Sequence, residues 1–274
     1  RRRCPRMSGQ SKMTENAPVE ASPPASGGMR ASSPTCPTRA LVLSSGGIDS
    51  TTCLALAVER FGTANVSTVS FFYGQRHRKE LDAAQAVAER YGVAHYVLDI
   101  ASVLRYSDNA LMAGSTQDIA RGTYADQKDA VGRPNTYVPF RNGLMLSAAA
   151  ALAASLYPDE ACAVYLGAHA DDAAGDAYPD CSPAFTDAMA DAMRIGTYGN
   201  VTLEAPFVND TKAGVVACGL ERGVPYELTW SCYEGGDVAC GTCGTCLDRI
   251  AAFHANGAED PIRYSSAPNG ASAL

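Results

Sequence analysis

The order of elements along residues 40–257 predicts an α/β fold, a doubly wound and mostly parallel sheet followed by a small cysteine-bound segment. Three observations predict it. Runs rich in β-branched residues alternate with segments of helical period, the pattern of strand–helix–strand units. Residues 40–52, ALVLSSGGIDSTT, carry an apolar strand through a Gly-rich turn straight into a helix start. Cys232, Cys240, Cys243 and Cys246 fall within fifteen residues near the end of the chain.

Each element follows in order. After the first strand and its helix, residues 66–72 (VSTVSFF) are a second β-rich run. Residues 77–91 form a helix with Leu81, Ala84, Ala88 and Tyr91 on one stripe, and Gly92 ends it. Residues 94–100 (AHYVLDI) are a third strand. Residues 101–136, broken by Gly114, Gly122, Gly132 and Pro134, read as a long loop near the site. Residues 141–156 are helical and apolar on nearly every face, which places them in the core or in a subunit interface and hints at a homodimer. Residues 161–166 are a fourth strand. Ser182 and Pro183 supply an N-cap and a first-turn proline for a helix to about Arg194. A short strand at 201–203 precedes helices at 212–222 and 247–255, closed by Gly223 and Gly257. Ligands of such sheets bind beyond the carboxyl ends of strands, where Gly46 and Gly47 sit.

Four regions result: a disordered N-terminal extension (1–39), the α/β domain (40–230), a metal-binding segment with its closing helix (231–257) and a flexible tail (258–274). The extension is rich in Ser, Pro, Gly and Arg and shows no apolar period. It holds seven Lys/Arg against two Asp/Glu, a charge of +5, so with −7 overall the remaining residues carry −12. A body that acidic is a poor partner for a phosphate backbone, which argues against nucleic acid and for a small molecule. No run of about 18 apolar residues is present, so neither a transmembrane helix nor a membrane partner is expected. The three leading arginines lack the apolar run of a signal peptide, and a cytoplasmic location is the default expectation.

The Gly-rich turn carries the chemistry. A helix N-terminus offers unpaired N–H groups and partial positive charge, which suits a phosphate. Gly46 and Gly47 permit close approach of a ligand to the backbone. Asp49 would repel a bare phosphate, and makes sense holding a cation such as Mg²⁺ against a polyphosphate. The segment is neither a Walker P-loop nor a G-x-G-x-x-G turn. Against this stands an ordinary Gly-Gly turn between strand and helix. The full Ser45–Ser50 string resembles the pyrophosphate loop of N-type ATP pyrophosphatases, which implies ATP bound across Ser44, Ser45, Gly46, Gly47, Ile48, Asp49, Ser50, Thr51, Thr52, Cys53 and Leu54.

The four clustered cysteines have the spacing C-x₇-C-x₂-C-x₂-C. That spacing gives a tetrahedral thiolate site, with Gly241 and Gly244 letting the backbone wrap tightly. A disulfide is disfavoured in a cytosolic chain, and a redox pair needs only two cysteines. An iron–sulfur cluster is the rival, and zinc is favoured. Four protein thiolates close the shell, so the zinc is structural and the chemistry must lie elsewhere.

Taken together, these motifs resemble the 7-cyano-7-deazaguanine synthases, the QueC family, over about residues 40–256. The resemblance also rests on Tyr73-Gly74-Gln75-Arg76-His77, on residues 134–142 (PNTYVPFRN) and on Tyr178-Pro179-Asp180-Cys181. It implies an adenine nucleotide alpha hydrolase-like, Rossmann-like fold. It implies an ATP-dependent ligase that turns 7-carboxy-7-deazaguanine and ammonia into the nitrile, with Zn²⁺ structural and Mg²⁺ bound with ATP. Asp49, Arg76 and Arg141 are then the expected catalytic residues, the arginines pairing with phosphate or with the substrate carboxylate. A surface or structural ion pair is the bland alternative for each arginine. Tyr178 and Asp180 are expected to bind the substrate, Asp180 through the guanine-like N–H edge. The alternative for Asp180 is a helix-start carboxylate just before Ser182. His77 is read as a structural residue sooner than a base. Asp171, Asp172 and Asp176 form an acidic loop that offers a second Mg²⁺ contact. A tRNA-thiolating or lysidine-type ATP pyrophosphatase, a zinc-ribbon interaction module, and a relative with another acceptor are the competing readings.

Overall fold

The computed structural model describes residues 36–119, 121, 134–174 and 177–266. The expectations for the first 35 residues, for Gly122, Gly132 and Asp176, and for the last eight positions lie outside the described residues. Among those described, the strands are β1 (Arg39–Leu43), β2 (Val66–Phe72), β3 (Ala94–Asp99), β4 (Cys162–Tyr165) and β5 (Val201–Glu204). The helices are α1 (Ile48–Phe61), α2 (Lys79–Tyr91), α3 (Ala101–Leu104), α4 (Arg141–Leu156), α5 (Ala170–Ala173), α6 (Pro183–Gly196), α7 (Lys212–Glu221) and α8 (Gly244–Ala255).

All four strand pairings are parallel, in the order β3-β2-β1-β4-β5. The chain leaves β1 toward β2 on one side and later returns to place β4 on the other. The carboxyl end of β1 is therefore the switch point where such sheets open a crevice.

β1 is apolar without alternation because both of its faces are covered. Ala40 and Val42 face a layer built with Ile48 and Leu54 of α1, Val215 and Val216 of α7 and Phe253 of α8. Leu41 and Leu43 face the opposite layer, with Val69, Phe71, Leu146 of α4 and Met193 of α6. Full burial of a leucine such as Leu41 is worth about 2 kcal/mol.

Three elements differ from expectation for physical reasons. α4 buries a single stripe, Gly143, Leu146, Ala149, Ala150 and Ala153, while Ser147 and Ala151 are exposed. Alanines on the outer side hide this one-sidedness from a hydropathy reading. α2 starts at Lys79 and not at His77, whose Nε2 lies 3.0 Å from the Tyr233 carbonyl oxygen. Residues 258–266, expected as a flexible tail, are pinned. The fully buried Arg249 forks onto Asp260 with contacts of 2.6 and 2.9 Å, and Ala239 bridges Tyr264. No helix among the described residues is long and apolar enough to cross a membrane.

Candidate active site

The carboxyl ends of β1, β2 and β4 open into a cleft of about 240 Å³, closed on its far side by Trp230, Ser231 and Tyr233 and by the first turns of α8. β1 delivers Ser44, Ser45 and Gly47, and α1 delivers Asp49 and Ser50. β2 leads to Tyr73, Gln75 and, at the start of α2, Glu80. β4 leads to Gly167, Ala168, His169 and Asp172. α4 brings Arg141 and Asn142, α7 brings Lys212, and α8 brings Thr245 and Asp248.

The loop is shaped by its glycines and serines. Gly46 has φ +76°, and a Cβ there would lie 2.3 Å from the Glu80 carbonyl oxygen. Only glycine allows that contact between loop and α2. Ser45 N donates to Ser50 Oγ at 3.2 Å, the two hydroxyls are 3.1 Å apart, and Gly47 N reaches Ser45 Oγ at 3.4 Å. Gly47 is the N-cap of α1 and no side chain caps that helix, so its positive end faces the cleft. Ile48, Thr51, Thr52, Cys53 and Leu54 are buried in the core and do not line the cleft. The cleft-facing part of the expected segment thus narrows to Ser44, Ser45, Gly47, Asp49 and Ser50.

Asp49 is in the cleft, joined to a partner that the sequence reading did not single out. Lys212 Nζ lies 2.5 Å from Asp49 Oδ2 and 3.4 Å from His169 Nε2. His169 Nε2 is also 3.3 Å from Asp172 Oδ2. Burial by itself would raise the Asp49 pKa, but Lys212 and His169 outweigh it and leave it lowered. Burial likewise works against the Lys212 charge, and Asp49 and Asp172 overcome it, so the ammonium is held. Asp49 Oδ1 is buried with no hydrogen-bond partner among the described residues. Lys212 stands at the first position of α7, behind Thr211, whose hydroxyl accepts from Gly214 N at 3.2 Å. A cation at a helix N-terminus opposes the macrodipole, and that misplacement was the signal available in the sequence. Asp171 is exposed, and its Oδ2 accepts from Lys212 N at 2.7 Å.

The two arginines part company. Arg141 lines the cleft, its guanidinium 5.7 Å from the centre of the Tyr73 ring. Burial disfavours its charge, but Tyr73, Tyr233, Asp180 and Glu80 outweigh that and raise its pKa. Among the described residues it forms no ion pair, and it hydrogen-bonds the Tyr73 hydroxyl. Arg76 is exposed, is not part of the cleft wall, and donates to the carbonyl oxygens of Ser115 and Gln117.

Tyr178 lines the cleft, its hydroxyl 2.6 Å from Thr136 Oγ1. Asp180 does not. Its Oδ2 accepts from Asn142 N at 3.0 Å, and its carbonyl accepts from Asn142 Nδ2 at 3.0 Å. It is a helix-start carboxylate, as its bland alternative held, but for α4 and not for α6. Its nearness to Ser182 in sequence pointed to the wrong helix.

The four cysteines meet as expected. Their sulfurs lie within 4.8 Å of one another, with Cys243 and Cys246 at 3.4 Å and Cys240 and Cys246 at 3.9 Å. The set can hold a metal ion. Cys240 Sγ also accepts from Thr242 N and Cys243 N at 3.4 and 3.3 Å, the N–H pattern of a metal-binding knuckle. Cys232 lies between Ser231 and Tyr233, and Cys246 follows Thr245, so this cluster anchors part of the cleft wall. Thr245 Oγ1 ties the two pieces together by donating to the Ser231 carbonyl oxygen at 2.7 Å.

The chain is 39% identical over 226 residues to the 7-cyano-7-deazaguanine synthase of Psychromonas ingrahamii, covering 82% of this chain and 97% of that one. It is 42% identical over 238 residues to that of Hahella chejuensis, covering 85% and 96%. The archaeal enzyme of Archaeoglobus fulgidus is 40% identical over 225 residues, covering 82% and 89%. Among solved structures, the NMN synthetase of Francisella tularensis is 16% identical with a TM-score of 0.41, covering 81% of this chain and 79% of that one. Residues 39–257 match the family described as queuosine biosynthesis protein QueC, and the chain belongs to that family.

Proposed function

We propose that the chain is an ATP-dependent ligase that converts 7-carboxy-7-deazaguanine and ammonia into 7-cyano-7-deazaguanine. One observation carries the reading. A single cleft brings together the uncapped N-terminus of α1, the Lys212–Asp49 pair and Arg141, which closes no ion pair among the described residues, one anion receptor for a polyphosphate and another for a carboxylate.

A carboxylate is a poor electrophile, so its oxygen must first be converted into a leaving group. Ser45, Gly47, Ser50 and the start of α1 hold the phosphates of ATP. Lys212 turns from Asp49 toward the phosphates and offsets charge that builds up there. Arg141 orients the substrate carboxylate for attack on the α-phosphorus. Ammonia then displaces AMP to leave an amide, and transfer of AMP from a second ATP to the amide oxygen, with loss of pyrophosphate, lets that oxygen leave on AMP as the nitrogen gives up its two protons and the nitrile forms. Tyr73, Trp230, Tyr233 and Tyr178 supply aromatic walls for a bicyclic base.

Mg²⁺ fits beside this loop, because Asp49 Oδ1 is buried without a partner. Asp49 and Asp172 would hold it, and when bound it neutralises the triphosphate and eases departure of pyrophosphate. Zinc fits the four cysteines: bonded at about 2.3 Å, it needs sulfurs about 3.8 Å apart. All four ligands are protein thiolates, so its role is structural.

The test is mass spectrometry of the purified protein incubated with ATP, Mg²⁺, ammonium and 7-carboxy-7-deazaguanine. The nitrile is the expected product, and its absence refutes the reading.

A further inference from the structure

We propose that Glu80 is the catalytic base for the nitrogen nucleophile: its carboxylate receives the donor as ammonium, takes a proton from it and releases ammonia against the activated carboxyl carbon. The proposal rests on the carboxylate-to-nitrile reading above.

Aqueous ammonia is mostly ammonium at neutral pH, and ammonium has no lone pair. A site that uses it therefore needs an anion to receive the cation and a base to deprotonate it. Most acids near the cleft are engaged. Asp49 is paired with Lys212, and Asp180 accepts from Asn142 N. Asp172 lies 3.3 Å from His169, and Asp248 shares the field of Lys212 and His169, the cationic side that a polyphosphate needs. Glu80 stands apart. It lines the cleft, and among the described residues its carboxylate accepts no hydrogen bond and closes no ion pair.

Its placement is fixed from two sides. The Glu80 carbonyl lies where a Cβ of Gly46 would be, so the backbone of Glu80 abuts the activating loop. The charged group facing its side chain is Arg141, the receptor assigned to the substrate carboxylate, and the Tyr73 hydroxyl lies in the same field. Behind Arg141 stand Tyr233 and Asp180. A base beside Arg141 is a base beside the carboxyl carbon. The Arg141 charge favours the nitrogen leaving as neutral ammonia. Burial pushes the Glu80 pKa up to about 7 against the pull of Arg141, which suits a base working near neutrality.

The step balances. Ammonium gives one proton to the Glu80 carboxylate, which passes it through the cleft mouth to solvent. The nitrogen lone pair forms the C–N bond, and the C–O bond to AMP breaks with its electron pair leaving on AMP. The proton shed by the new N⁺ leaves through the cleft mouth to solvent, giving the neutral amide.

The test compares wild type, Glu80→Gln and Glu80→Asp in ATP–pyrophosphate exchange dependent on 7-carboxy-7-deazaguanine, and in turnover with ammonium or with hydroxylamine, which is neutral at the assay pH. Glu80→Gln is expected to melt no lower than wild type and to keep its exchange. It should lose on the order of 100-fold in turnover with ammonium, stay within about twofold of wild type with hydroxylamine, and gain ammonium activity with rising pH. Glu80→Asp should retain part of the ammonium activity. Equal losses with both nucleophiles, loss of exchange in both variants, or an unchanged ammonium rate overturns the proposal while leaving the function standing. A wild-type chain with no carboxylate-dependent exchange overturns the function and the proposal with it.

Discussion

Lys212 Nζ sits 2.5 Å from Asp49 Oδ2, joining the first turn of α7 to the first turn of α1 across 163 positions of sequence. Both side chains are largely buried, at 17% and 21% exposure, so each charge depends on the other. Removing one partner strands the other charge. Asp49→Asn or Lys212→Met alone should cost about 2 to 4 kcal/mol in urea unfolding. The double variant should recover most of that stability. Turnover should be lost in all three, because both residues line the cleft proposed to hold the phosphates. Full activity in Lys212→Met would remove Lys212 from the machinery.

Cys232 and Cys246 are chain neighbours of the cleft-wall residues Ser231, Tyr233 and Thr245, so metal and substrate should be linked. Cys243→Ser should lose bound metal, measured by elemental analysis, and should melt at a lower temperature. Chelation should also raise KM for the deazaguanine, since Ser231, Tyr233 and Thr245 lose their anchor. Iron with visible absorbance in place of zinc would reassign the site to an iron–sulfur cluster.

Gly46→Ala tests the contact between loop and helix. The added Cβ would meet the Glu80 carbonyl oxygen at 2.3 Å and Ala84 N at 2.8 Å, from a backbone at φ +76°. Backbone atoms on both sides cannot yield as a flexible side chain would. A stability loss of about 3 kcal/mol or more is expected, together with loss of ATP binding by calorimetry. Near-native binding would mean that the loop rearranges freely.

The sequence made the sheet legible because each parallel strand is a short apolar run bounded by glycine or polar residues, and because Gly92, Gly223 and Gly257 punctuate the helices. The glycine-rich loop and the cysteine cluster were legible because each pattern is local, compressed into a short stretch of sequence. What escaped was nonlocal. Lys212 showed only a cation misplaced at a helix start, and its partner Asp49 came into view when α7 was set against α1. Glu80 looked like the solvent side of an amphipathic helix until the Gly46 turn folded over it. Asp180 was near Ser182 in sequence, yet its carboxylate serves α4, reached only through the fold.

The same burial that suits Glu80 to take a proton should cost the protein stability. Its pKa is raised to about 7 in the folded chain, above its value of 4.5 when unfolded. Between those values the folded state binds more protons than the unfolded state, so stability falls as pH rises through the window. The penalty is absent below about pH 4.5 and complete above about pH 7. Glu80→Gln removes the titrating group and keeps its shape. Above pH 7 the variant should therefore be more stable than wild type by on the order of 1 to 3 kcal/mol, with the difference closing toward pH 5. Paired urea melts at pH 5, 6, 7 and 8 measure it. A difference that does not change with pH would show that Glu80 titrates alike in both states, and a wild type more stable at pH 8 would show that Arg141 holds it as a stabilising ion pair.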